Sequence, residues 1–160
     1  MAPLIVLLVS FGTFFALNRF LLGGRFSLSL AGRASLAVML FVTGVTHFTN
    51  TDVMAQMIPE FMPAKRELVY FTGFCELLAV IGLLWNRTAR LTAYMLLLFF
   101  IMVLPANIAG SLKQVELGGM ANGASYLLFR IPLQILFIAW IYYFGIYLTR
   151  PYQEPTASSE

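Results

Sequence analysis

The chain has 160 residues, 60% of them hydrophobic and 11% charged, with ten lysines and arginines against seven acidic residues for a net charge of +3. A soluble globular domain carries about 25% charged residues, so this composition excludes a surface that could be covered in water. It also excludes a nucleic-acid face, because the basic residues lie between apolar runs rather than on one patch.

A spanning helix needs about 20 mostly apolar residues, and the chain offers five such stretches in a single domain over residues 1–150. The first runs from Pro3 to Leu22. No basic residue precedes it, Arg19 and Arg25 follow it, and it lacks a small-residue cleavage site, so it reads as a retained span rather than a signal peptide. The second, Ala34 to Phe48, is the shortest and crosses only if Leu28 to Gly32 extend its start or the bilayer thins around it. It carries Thr43, Gly44 and His47 near its end, and Thr43 and His47 share a face one turn apart.

The connector from Thr49 to Glu67 is not simply hydrophilic. Val53, Met54, Met57, Ile58, Phe61 and Met62 give it an apolar side, and Asp52 to Ile58 reads as a short helix capped by Asn50 or Thr51 and stopped by Pro59. It is expected to lie as a lid on one mouth of the bundle. The third span, Leu68 to Trp85, carries Glu76 about eight residues in, roughly 12 Å at the helical rise of about 1.5 Å per residue. An ionisable group at that depth is a functional candidate by default.

The fourth span, Leu91 to Ile108, contains Pro105, which frees a carbonyl one turn earlier, and then Asn107. The fifth, Tyr126 to Leu148, places Arg130 and Gln134 one turn apart on one face. Its Trp140, Tyr142, Tyr143 and Tyr147 read as interfacial anchors. Gly44, Gly73, Gly82 and Gly110 read as points of close helix approach. The polar tail, 151–160, holds two prolines and reads as disordered.

Positive charges set the expected orientation. Arg19, Arg25, Arg33, Arg87, Arg90 and Arg150 fall on one side, and Lys65, Arg66, Lys113 and Arg130 on the other. This places the N-terminus outside and the C-terminus in the cytoplasm.

Antiparallel spans then gather Thr43, His47, Glu76, Asn107, Arg130 and Gln134 at one level, with Arg130 as the arginine able to compensate Glu76. Such a cluster either binds something or locks helices together through interhelical hydrogen bonds. Cys75 is the single cysteine, which excludes an internal disulfide and a dithiol relay. With one histidine and no ligand spacing, no metal site is expected. No catalytic motif is present: phosphate loop, nucleophile elbow and dinucleotide fingerprint are all missing.

Several blocks resemble the DoxX-like family of small bacterial membrane proteins: Gly44 to Phe48 (GVTHF), Ile58 to Pro63 (IPEFMP), Gly73 to Glu76 (GFCE) with Gly82 to Leu84 (GLL), Leu104 to Ile108 (LPANI) and Arg130 to Gln134 (RIPLQ). The resemblance covers Arg33 to Tyr147. It implies an all-α membrane bundle with a four-helix core, to which Pro3 to Leu22 adds an N-terminal span, and residence in a bacterial plasma membrane. It implies His47, Glu76, Asn107 and Arg130 as the family's recurring positions. More remotely, the fold looks like that of the NACHO assembly chaperone.

The expected function is non-enzymatic: an accessory or assembly factor with an outward-opening intramembrane pocket for a small amphiphile or a partner's helix. No cofactor is expected. A quinone enters only under the alternative of a quinone-linked oxidoreductase subunit, and a small transporter is a weaker alternative. Expected partners are the lipid bilayer, a membrane protein or amphiphile, and a second copy of the chain, with no nucleic acid.

Overall fold

The computed structural model describes residues 2–21, 23–117 and 119–149. Arg150 and the tail at 151–160, read above as a topology signal and a disordered segment, lie outside these residues, as does Leu22. Among the described residues the protein is entirely helical, and five helices are long and apolar enough to cross a membrane.

Helix α1 (Ala2–Phe20) lies on the outside of the bundle, burying only Leu7. It is fastened to α2 (Leu28–Thr49) by the Ser10 hydroxyl, which lies 3.4 Å from the Ser35 carbonyl. The connection is closed by a reciprocal pair, the Asn18 amide donating to the Phe26 carbonyl at 2.8 Å and the Phe26 N–H to the Asn18 side chain at 2.9 Å.

The second span does recruit Leu28 to Gly32. Ser27 caps the helix by accepting the Leu30 N–H at 3.1 Å. Its 22 residues reach about 33 Å at ~1.5 Å each, enough for a hydrocarbon layer of about 30 Å without thinning. α2 is the central helix, contributing Leu36, Met39 and Leu40 to a core shared with Leu83, Leu96 and Phe137.

This start corrects the reading of Arg33 as a loop charge. Arg33 lies inside α2 and is 3% exposed, because its guanidinium reaches the end of α4 (Lys65–Leu84). It donates to the Leu83 carbonyl at 3.0 Å and to the Asn86 side chain at 2.8 Å. The last carbonyls of a helix lack intrahelical donors and carry partial negative charge, which a guanidinium satisfies on both counts.

Helix α3 (Thr51–Met57) follows α2 almost directly. Asn50 stands at its cap position but makes no side-chain cap bond. The Thr51 hydroxyl donates backwards to the His47 carbonyl at 2.7 Å, so the expected side-chain cap is not formed. With residues to its N-terminal side already helical, the hydroxyl finds a carbonyl of α2 before it finds an amide of α3.

Met57 packs with Val115 and Met120 into a small apolar plug, and exposed pairs Arg66–Asp52 and Lys113–Glu60 flank it. The lid thus exists as a packed element, although Phe61 and Met62 stay exposed.

After α5 (Ala89–Leu112) and a short 3₁₀ stretch (Met120–Tyr126), the chain returns through α6 (Leu127–Trp140). The expected single helix over Tyr126 to Leu148 widens into π turns over Ile141–Tyr147. The cause lies in packing. The wide turns bring Ile141, Phe144, Gly145 and Ile146 to the buried side, and the Ser29 hydroxyl takes the Phe144 carbonyl at 2.9 Å.

Trp140 is correspondingly not an interfacial anchor. Its indole donates to the Gly32 carbonyl at 3.1 Å and its ring packs on Phe11 and Phe144. Tyr142, Tyr143 and Tyr147 are about half exposed.

Candidate functional site

Two groups of polar side chains meet inside the bundle. The first joins α2 to α4. Thr43 and His47 stand one turn apart on α2, and Gly73 and Glu76 face them from α4. Gly73 permits the approach: a Cβ there would lie 2.6 Å from the His47 Cβ. Glu76 is 8% exposed.

Its Oε2 accepts the Thr43 hydroxyl at 2.6 Å, the shortest of that hydroxyl's contacts. His47 Nδ1 lies 3.8 Å from the same oxygen but 2.9 Å from the Thr43 carbonyl. A carbonyl only accepts, so Nδ1 carries a proton in this arrangement.

The second group joins α5 to α6. Arg130 Nη2 donates to the Asn107 side-chain oxygen at 3.0 Å, and the Asn107 amide donates to the Val103 carbonyl at 3.2 Å. Gln134, 2% exposed, donates to the Phe100 carbonyl at 2.8 Å. That carbonyl neighbours Ile101, whose usual helical donor is replaced by Pro105. Arg130 Nε and Gln134 Oε1 are buried and have no hydrogen-bond partner.

Arg130 is within Coulombic reach of Glu76, yet the two form no direct ion pair. The expectation that Arg130 compensates Glu76 by contact is therefore corrected. Asn107 projects from the adjacent helix and intercepts the guanidinium, while Thr43 donates to the Glu76 carboxyl. All six expected residues lie in the bundle interior, in two groups rather than one closed network.

The plug closes this end one turn beyond Asn107, where a Cβ on Gly110 would sit 2.8 Å from Met57 and 3.0 Å from the Met120 sulfur. Two grooves lie elsewhere: an apolar one of about 410 Å³ between α1 and α2 (Val6, Val9, Ser10, Thr13, Val38), and a polar one of about 350 Å³ at the α3 end (Asn50, Asp52, Arg66, Tyr70). Neither is lined by Glu76, Arg130 or Gln134. Cys75 is half-buried beside Glu76 on α4, and among the described residues no group of His, Cys, Asp and Glu could hold a metal.

Among the described residues, Arg33 is the buried arginine that the sequence reading placed outside the spans. Its surroundings held the signal: Ala31, Gly32, Ala34 and Ser35 are small, leaving room for a guanidinium to lie along a neighbouring helix.

The chain belongs to the family described as Domain of unknown function (DUF8561), whose model matches residues 36–144. No curated protein and no solved structure matches it. The matched stretch runs from the third turn of α2 into the π turns. It contains both polar groups and leaves α1 and Arg33 outside.

Proposed function

We propose that this bundle is a non-enzymatic protein of the bacterial plasma membrane that holds the polar head of a small amphiphile between the two groups, as an accessory or assembly factor. The supporting observation is that the Glu76 carboxyl and the Arg130 guanidinium lie in one interior without closing on each other. A purely architectural pair would be expected to close, since an unpaired charge at low dielectric is costly. A DoxX-like ancestry belongs to the same proposal, and so do a partner helix or a second copy as further binding partners.

Native mass spectrometry of the purified protein tests it. Wild-type protein should carry a co-purified amphiphile, and Glu76→Gln, which alters the polar interior beside the head, should lower its occupancy by about tenfold, the scale of one hydrogen bond. The melting temperature should meanwhile hardly move, because Gln keeps the shape and can still accept from Thr43. Unchanged binding together with a large fall in melting temperature would make the cluster structural.

A second reading, a quinone-linked oxidoreductase subunit, rests on two side chains able to carry protons, His47 and Glu76, lying 3.8 Å apart in the interior. A reducible quinone absorbance in the purified protein would select it.

The proposed orientation, N-terminus outside and C-terminus cytoplasmic, rests on the arginine bias. A reporter fused after Glu160 should be active only in the cytoplasm, and one inserted at Glu116 only outside. The reverse pattern would turn the site toward the cytoplasm.

A further inference from the structure

The two unpartnered atoms on α6 restrict what the head can be. Arg130 Nε–H is a donor and Gln134 Oε1 an acceptor, both buried and both without a partner. Buried polar atoms are nearly always hydrogen-bonded, so two on one face ask for an explanation. They stand one turn apart, where side chains lie about 5–6 Å from each other at Cβ. A single small group bridging the two is the simplest occupant of that face.

One terminal nitrogen of each residue is engaged. Arg130 Nη2 is held by Asn107 and Gln134 Nε2 by the Phe100 carbonyl. A rotation that freed either would break a buried bond.

A group that satisfies both atoms must accept from Nε–H and donate to Oε1. A carboxylate, a phosphate diester or a ketone only accepts, and an ammonium only donates. A hydroxyl does both with one oxygen, as water does; an undissociated carboxylic acid or a primary amide needs two atoms to do it.

Resting on the binding function proposed above, we infer that the occupant is an uncharged amphiphilic alcohol, its hydroxyl accepting from Arg130 Nε and donating to Gln134 Oε1. A free long-chain alcohol and the free hydroxyl of a neutral glycerolipid share this chemistry.

The test uses the full chain in detergent, with affinity read from ligand-induced stabilisation and native mass spectrometry. The probes are oleyl alcohol, its methyl ether, oleic acid, oleylamine and dioleoylglycerol. The alcohol should bind at least about tenfold more tightly than the ether, which can accept but leaves Gln134 Oε1 unpaired. The acid and the amine should bind more weakly than the alcohol. Tighter binding of dioleoylglycerol would assign the glycerolipid source, and tighter binding of oleyl alcohol the free alcohol.

Gln134→Met, which removes the acceptor, should bring alcohol and ether to equal affinity. Should that variant not fold, the probe series on wild-type protein decides alone. Equal affinity of alcohol and ether for the wild type, or preference for the acid or amine, overturns the hydroxyl assignment while leaving an amphiphile site. Binding of no probe, with no co-purified amphiphile, overturns both.

Discussion

Asn107→Leu should lower stability by about 3 kcal/mol, read from reversible unfolding in mixed micelles. Asn107 is 3% exposed and supplies the acceptor for Arg130 Nη2 at 3.0 Å. Hydrogen bonds to charged groups contribute about 1.5–3 kcal/mol, and a buried charged donor left unpaired costs more. Because Arg130 Nε already lacks a partner, losing Asn107 strands most of the guanidinium.

The double variant Asn107→Leu with Arg130→Met should recover at least about 1 kcal/mol relative to the sum of the single changes, since replacing both partners by apolar groups can be nearly neutral. Simple additivity would show that Asn107 and Arg130 do not act as a pair. Measured on ligand-free protein, the Asn107 cycle separates the architectural share of the cluster from its binding share.

Gly73→Ala should destabilise by about 1–3 kcal/mol, the usual cost of overpacking a close-packed interior. The added Cβ would lie 2.6 Å from the His47 Cβ and 3.0 Å from the Phe48 ring. A Cβ moves only with its backbone, so α2 and α4 must separate. That separation carries Thr43 and His47 away from Glu76, so amphiphile binding should fall together with stability. Gly12→Ala on α1 is the control, since nothing lies within 4 Å of its added Cβ, and it should be nearly neutral. Equal effects of the two alanines would remove the close approach at Gly73 as the reason for glycine there.

Much of this arrangement was legible in the residues themselves. Apolar run length alone predicts spans, because in hydrocarbon each backbone polar group must be satisfied within its own helix. The side chains Thr43, His47, Glu76, Asn107, Arg130 and Gln134 stood out for the complementary reason, that polar groups are scarce at such depth. The short helix after α2 was legible from Pro59 and its apolar spacing. Its cap was not, because Thr51 chooses between an amide ahead and a carbonyl behind, and the fold on both sides decides.

What the sequence determined by itself is thus the set of helices and the polar residues placed among them, since both follow from the local cost of burying polar groups in an apolar solvent. What only the tertiary structure decided is pairing. Arg130 goes to Asn107 rather than Glu76, Arg33 reaches the end of α4, Trp140 finds the Gly32 carbonyl, and the last helix widens into π turns. Each depends on which helix lies beside which and at what rotation. Those relations are set by glycine contacts and ring packing between residues tens of positions apart, so no local pattern encodes them.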